Sequence, residues 1–393
     1  MAHDDRSLTF EETLAAIRPT RAEIDLDAFE RNVDAIAARL PAGSRLIAVL
    51  KANAYGHGAV ELARRCRPDR VSGIAVALLE EALELRRAGI SLPILVLGPL
   101  QEAQIAIAAE NDIIIGIVGP EALDLVSAQG RDHDLRIALK LDSGMGRMGF
   151  RDSEIPRAIE VLRTMPRARV EAIYTHFANA SDPRDPYTEM QRANFKRMFA
   201  RFRDAGVDVP RHEANSAATM RGLIDPGESV RVGIALYGGE ALDMGQSKLE
   251  PVMRWRTEIA RLKSLPAGHP VGYGGTFVTS RESRIATLPV GYADGYNRLL
   301  SNRGRVLVRG RRVPVVGRVS MDLVTIDVTE VEDAAVGDEV VLLGSQGAET
   351  IRAEEIASLI GTISYEVFCN VSARVPRIYR DGDRATVRSS FSE

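Results

Sequence analysis

Cysteine is scarce in this chain of 393 residues: Cys66 and Cys369 are the only two, and they lie far apart. They build neither a disulfide framework nor a metal-ligand cluster, which fits a reduced intracellular compartment. An excess of charge of one sign is also missing. Against 51 lysines and arginines stand 54 aspartates and glutamates, a formal net charge of −3. That balance gives no electrostatic basis for nucleic acid or an anionic membrane as partner. Long hydrophobic runs are absent too, since no uninterrupted apolar stretch approaches the roughly 20 residues of a membrane helix. The opening Met-Ala-His-Asp-Asp-Arg-Ser is polar and no apolar stretch follows it. No secretory signal is read there, and a cytoplasmic location is expected. What remains is the composition of a soluble globular protein, 45% hydrophobic and 27% charged. The length predicts two domains.

The first two-thirds alternate short apolar runs with helical patterns. Leu26, Phe29, Val33, Ile36 and Leu40 fall at helical spacing and stop at Pro41-Ala42-Gly43. Strands are expected at 46–50, 74–77, 94–97, 113–118, 137–141, 170–174, 213–215 and 230–236. Amphipathic helices are expected between them, among others at 78–87, 121–127, 155–165 and 190–203. Near-continuous apolar strands alternating with helices imply a parallel sheet covered on both faces. Eight such units predict an α/β fold, a closed TIM-like (β/α)8 barrel over residues 1–250, with 1–20 as an extra leading segment. After 249–251 the texture changes to short β-branched runs separated by Gly, Pro and Asp, at 257–262, 284–289, 304–308, 313–316, 323–327 and 339–343. A mostly-β C-terminal domain over 251–393 follows, with 353–360 its one helical pattern.

Lys51 closes the apolar run Leu46-Ile47-Ala48-Val49-Leu50 and opens the loop Ala52-Asn53-Ala54-Tyr55-Gly56-His57-Gly58. An ammonium at the mouth of a buried strand is costly to desolvate, so its pKa falls and its amine becomes nucleophilic. The glycines and tyrosine behind it allow close approach to an anion. Together they suit an imine-forming lysine beside a phosphate site, as a pyridoxal phosphate (PLP) enzyme requires. A lone lysine reaching to water would read the same way locally; the other strand ends separate the two. In a barrel, reactive groups gather where strands end at the carboxyl face. The expected fifth strand runs into Lys140-Leu141-Asp142-Ser143-Gly144-Met145-Gly146-Arg147, the sixth into Tyr174-Thr175-His176-Phe177, the seventh into Asn215-Ser216, and the eighth carries Arg231-Val232-Gly233-Ile234. Packing alone does not explain so many polar groups at one mouth.

The string from Lys51 to Gly58 resembles the PLP attachment motif of alanine racemases. Further segments resemble that family in the same order: Lys140–Arg147, Thr175-His176-Phe177-Ala178, Ala214-Asn215-Ser216-Ala217, and Arg231 through Gly238. The second domain adds Gly272-Tyr273-Gly274, Val290-Gly291-Tyr292-Ala293-Asp294-Gly295, Ser320-Met321-Asp322 and Ile363-Ser364-Tyr365-Glu366-Val367. The resemblance runs from about Arg21 onward.

The resemblance implies a set of roles. Lys51 holds PLP and acts as base on one face of the substrate; Tyr273, from a second subunit, is the base on the other. His176 and Arg231 support that tyrosine, and Arg231 faces the pyridine nitrogen, which a guanidinium of pKa above about 12 cannot protonate fully. Tyr55, Ser216, Tyr365 and the backbone N–H groups of Gly233 and Ile234 meet the phosphate. Arg147 and the Met321 N–H receive the substrate carboxylate. Lys140 resembles a lysine that is carbamylated in the family, and Tyr292 with Tyr365 resembles a gate; Asp322 lies near the site. The implied whole is an alanine racemase, a homodimer sharing its active sites, supplying D-alanine for the bacterial cell wall. Alternatives are a serine, lysine or broad-specificity racemase, a decarboxylase of the same fold type, and a non-catalytic PLP carrier.

Overall fold

A computed structural model describes residues 17–129, 133–239, 249–382 and 384–388. The chain divides into two compact units, one spanning Glu30–Leu249 and the other joining the residues up to Phe29 with Glu250 onward. The boundary falls within the helix Leu26–Ala37. The first strand, β1 (Arg21–Asp25), is the reason for that division. It pairs antiparallel with a strand at Met253–Glu258 and parallel with one at Arg377–Asp381. Residues 17–29 therefore do not start the barrel, as expected from the sequence, but belong to the strand-rich unit. Arg18 and Thr20 lie there too, with Arg18 on the Asp294 carboxylate and Thr20 on the carbonyl of Pro289. Residues 1–16 of the leading segment lie outside the described part.

In the Glu30–Leu249 unit, eight strands follow: β2 (Leu46–Val49), β3 (Val71–Val76), β4 (Ile94–Val96), β5 (Ile113–Ile117), β6 (Leu135–Lys140), β7 (Ala168–Tyr174), β8 (Arg211–His212) and β9 (Val230–Val232). All pair in parallel, in the order β8-β7-β6-β5-β4-β3-β2-β9. The gap between β8 and β9 is bridged at His212–Ser229, with Ser229 N–H donating to Arg211 (3.0 Å) and Arg231 N–H to Ala214 (2.9 Å). The expected barrel is therefore present and nearly closed. β4 and β5 are buried at every residue, as strands covered on both faces must be. Truncating one of them, Ile115 for instance, would cost about 2–5 kcal/mol.

The last two barrel strands depart from their expected ranges for local reasons. The seventh lies at Arg211–His212 rather than 213–215, because Asn215 leaves the strand to cap the helix Ser216–Met220, accepting from Ala218 N–H at 3.0 Å. The eighth stops at Val232, where Gly233 (φ −119°, ψ −91°) breaks the strand and starts a 3-10 turn over Ile234–Tyr237.

The other unit is mostly β, as expected. Its eight-stranded sheet contains β1, Met253–Glu258, Arg305–Val308, Arg311–Pro314, Glu339–Gln346 with its hairpin partner Glu349–Ile351, Arg377–Asp381 and Arg384–Arg388. A three-stranded sheet joins Arg261–Leu265, Ser283–Leu288 and Val324–Asp327. The run expected as one strand at 257–262 is thus two strands in different sheets. A second helix, Ser364–Asn370, follows Ala353–Ile360. At seven residues it is too short to show a helical period in sequence.

Candidate active site

The loop after β2 departs furthest from ordinary backbone. Ala52, Asn53, Ala54 and Tyr55 all have φ of 52–53°, a left-handed turn built without glycine. Each such residue costs about 1–2 kcal/mol. Local bonds hold it: Ala54 N–H to Leu50 (2.8 Å), Gly56 N–H to Ala52 (2.9 Å), and Ala59 N–H to the Asn53 side chain (2.7 Å). One side chain from elsewhere joins in. The Glu81 carboxylate accepts from Ala52 N–H at 2.5 Å and from Ala77 and Leu78 N–H at 2.8 and 3.1 Å. It thereby ties the residue after Lys51 to the end of the neighbouring strand. Glu81→Ala is expected to lower stability by about 1–3 kcal/mol, the scale of backbone donors losing a charged acceptor. The shift in urea midpoint checks this; an unchanged midpoint would remove Glu81 from the support of the loop.

The turn lays Tyr55, only 6% exposed, against Gly233. A Cβ built on Gly233 would come within 2.5 Å of the Tyr55 hydroxyl, so no other residue fits there without displacing it. Gly233 N–H in turn donates to the Ser216 hydroxyl at 2.9 Å. The structure thus brings Tyr55, Ser216 and Gly233 together, with Ile234 following at the start of the 3-10 turn. Tyr237 backs them. Its ring lies 5.0 Å from Tyr55 and stacks on His57 at 4.6 Å, and its hydroxyl donates to the Val49 carbonyl at 2.7 Å.

Arg231 sits on β9 and is 4% exposed. Its Nη1 donates to His212 Nδ1 (2.7 Å) and to the His212 carbonyl (2.6 Å); its Nη2 donates to the Thr175 carbonyl and lies 3.4 Å from His176 Nδ1. The guanidinium also lies over the Tyr174 ring, 5.2 Å from its centroid. Burial brings the Arg231 pKa down to about 10, yet leaves it protonated at neutral pH. Because the cation donates to both rings, each histidine presents a lone pair and is neutral. Burial, then Arg231, Lys140, Lys51 and Arg147 in turn, lowers His176 to about 3. Burial followed by Arg231 holds His212 well below the usual histidine range.

Lys140 is 7% exposed and ends β6. Its pKa falls to about 8, first through burial, then through Arg147 and Arg231; Asp142 opposes them, and Lys51 adds a smaller lowering. Four cations thus converge on one cleft, and of the two buried ones Lys140 is partly neutral near physiological pH while Arg231 stays charged. The loop leading to Arg147 is shaped by Asp142, which accepts from Gly144 and Gly146 N–H, both at 3.0 Å.

Sequence reasoning missed Glu81, His212 and Glu228. Glu228 is buried and accepts from the N–H groups of Glu213 (3.0 Å), Ala214 (3.1 Å) and Asp225 (3.1 Å), fixing the turn that delivers Ser216. Burial beside it pushes the Glu213 carboxyl up to about 8. No local signal marks these roles, because each partner comes from another strand or loop.

The other five expected residues lie on the strand-rich unit. Tyr292 opens the turn Tyr292–Asp294, whose N–H groups meet the Met321 segment: Tyr292 to Ser320 and Ala293 to Met321, both at 3.0 Å. Gly291 is needed there, since a Cβ would lie 2.2 Å from the Met321 carbonyl oxygen. Arg374 bridges Asp322 (2.8 Å) and the buried Asp294 (3.1 Å), which also holds Arg18. Tyr292, Met321 and Asp322 are therefore one constellation. Tyr273 stands on a separate turn, 72% exposed, the most solvent-open large apolar side chain of the described residues. Tyr365 lies in the helix Ser364–Asn370.

A parallel barrel that gathers its chemistry at the carboxyl ends of its strands, followed in sequence by a strand-rich unit, defines a barrel enzyme. Which one follows from comparison with known proteins. Residues 24–241 match the family model "Alanine racemase, N-terminal domain", and 252–379 match "Alanine racemase, C-terminal domain". The chain belongs to the alanine racemase family. It is 43% identical over 374 residues to an alanine racemase of Symbiobacterium thermophilum, covering 93% of this chain and 98% of that one. It is 42% identical to one of Methanococcus maripaludis, covering 92% and 98%. Among solved structures it resembles alanine racemase from Bacillus anthracis with bound L-Ala-P (TM-score 0.90, 38% identity, 95% and 98% covered). It also resembles the enzyme from the D-cycloserine producer Streptomyces lavendulae (TM-score 0.86, 38% identity, 93% and 98% covered).

Proposed function

We propose that this enzyme interconverts L- and D-alanine with PLP as cofactor, using two bases drawn from two subunits of a homodimer. The observation that carries the reading is the cleft itself: Lys51, Lys140, Arg147 and Arg231 converge beside the glycine-floored recess of Tyr55, Ser216 and Gly233. Such a cleft fits the cofactor, because an anion relieves the repulsion among its cations and the missing side chain at Gly233 leaves room for a phosphate. When bound, PLP supplies the electron sink that makes an α-carbanion accessible.

The protein's own groups do the rest. Lys51 anchors the cofactor and its amine moves the α-proton on one face. Tyr273 of the partner subunit moves it on the other. Tyr55, Ser216, Tyr365 and the N–H groups of Gly233 and Ile234 hold the phosphate. Arg231 meets the pyridine nitrogen as a donor, keeping the sink restrained, while neutral His176 can exchange a hydrogen bond with the tyrosine base. Arg147 and the Met321 N–H orient the substrate carboxylate, and Tyr292 with Tyr365 narrows the entry beside Asp322. Product D-alanine serves peptidoglycan assembly, and the enzyme works in the cytoplasm.

Chiral product analysis with the PLP-loaded enzyme and an equimolar set of L-amino acids tests this. D-Alanine is expected well ahead of every other product. Several D-amino acids at similar rates would make the enzyme a broad-specificity racemase, and no D-product would end the racemase reading.

Lys140 gives a second test. A neutral buried amine adds to carbon dioxide as R–NH2 + CO2 → R–NH–COO⁻ + H⁺, and the anion is welcome between Arg147, Arg231 and Lys51. Because the reaction consumes the neutral amine and releases a proton, carbamate forms as pH rises through about 8 and is lost below it. With 13C-labelled bicarbonate, one carbamate resonance is expected in the wild type and none in Lys140→Ala. The same variant is expected to raise KM for alanine more than it lowers kcat, since Arg147 loses its counter-ion.

A further inference from the structure

The opposite end of the barrel is not filled. Barrel interiors are packed in layers, dominated by bulky branched side chains. Here small residues, Gly73, Ala138, Ala172 and Ser229 among them, line a cavity of about 440 Å³ at the N-terminal ends of the strands. That volume is in the range of small-molecule sites. Its walls are Ile47, Ile74, Leu95 and Ile114. Two features at its ends are polar and uncommitted. At the rim, Arg136 is held by Glu171 (2.9 Å) and Asp112 (2.9 Å) and Arg169 also holds Glu171 (3.2 Å), so two cations and two carboxylates offset one another. Arg45, also at the rim, has no carboxylate partner among the described residues, and it leaves the mouth with an unanswered positive charge. At the floor lies His212, whose Nδ1 accepts from Arg231. Its proton is therefore on Nε2, for which no described residue is an acceptor, and which is not among the sealed-off polar atoms.

We infer that this well binds a small amphipathic anion, with its charge at Arg45, its apolar body against Ile47, Ile74, Leu95 and Ile114, and an acceptor or water at His212 Nε2–H. The site is separate from the cleft around Lys51 but shares one residue chain with it. An acceptor on Nε2–H makes Nδ1 a better acceptor for Arg231, so occupancy is felt in the cleft, and binding in the two places is coupled with reciprocal sign.

The probe is hexanoate, titrated by calorimetry into the PLP-loaded enzyme, with hexylammonium as the charge-reversed control. Two variants localise it: Ala172→Phe fills the well, and Arg45→Glu, exposed at the rim, reverses its charge without touching the core. Hexanoate is expected to bind the wild type saturably and each variant at least about tenfold more weakly, and hexylammonium is expected to bind the wild type at least about tenfold more weakly than hexanoate; tenfold corresponds to about 1.4 kcal/mol. In the wild type the His212 Nε2–H resonance should shift on titration, and in Ala172→Phe it should not. Absence of saturable binding overturns the inference. So does binding that neither variant weakens, which would place hexanoate in the cleft where Arg147 awaits a carboxylate, and so does equal affinity for hexylammonium.

Discussion

Lys51→Ala is expected to lose bound PLP and to lower kcat/KM at least about 10⁴-fold in both directions, the upper end of what one positioned base contributes. The effect exceeds that of an ordinary base because the residue has two tasks on one nitrogen. On the proposed reading it anchors the cofactor and it moves a proton. The surroundings are tuned to the first: with Lys140, Arg147 and Arg231 nearby, the cleft holds an excess of positive charge that favours an anionic cofactor beside position 51. Removing the ammonium therefore relieves repulsion, and the variant is expected to fold at least as stably as the wild type in the absence of cofactor. Loss of the visible absorbance of the bound cofactor, with an unchanged or raised unfolding midpoint, is the expected pair of readings. Retained absorbance would mean that another lysine is the anchor. Lys140 is the one to examine then, since burial brings its amine pKa down to about 8.

How much of this was legible in the sequence depends on the range of each interaction. Lys51 stood out because an apolar run ends on it, and strand ends are where a barrel keeps its chemistry. The left-handed turn behind it was not legible. Ala-Asn-Ala-Tyr carries no glycine, and the conformation is imposed by bonds to Leu50 and Glu81 rather than by local preference. His212 was hidden for a similar reason. Its partner Arg231 is a strand away, and the strand that carries His212 is two residues long and polar. Residues 21–25 read as part of the barrel range because nothing within Arg21–Asp25 states that its strand neighbours lie more than 200 residues on. Gly233 is the opposite case. A glycine between a valine and an isoleucine at a strand end was readable as a position that needs no Cβ, and the 2.5 Å approach to Tyr55 is what it accommodates.

Tyr273→Phe should separate proton removal from racemisation. If Lys51 serves one face and Tyr273 the other, each inversion needs both, so the variant should lose turnover in both directions by about 10²–10⁴-fold while keeping its cofactor. It should not lose all chemistry. In deuterated water the remaining base can still take the α-proton from one enantiomer and return deuterium to the same face. Deuterium should therefore enter one enantiomer of alanine without inversion, and the other should stay unlabelled. Equal labelling of both enantiomers would mean a single base serves both faces. The exposure of Tyr273, 72% in the chain taken alone, makes sense if its place is in another subunit's cleft. That too can be measured with the same two variants. When Lys51→Ala and Tyr273→Phe homodimers are dissociated and reassociated together, each mixed dimer has one cleft with both wild-type residues only if the bases come from different chains. Random pairing makes half the dimers mixed, so activity should return to about a quarter of wild type. If both bases came from one chain, every cleft would lack one of them, and mixing would restore nothing.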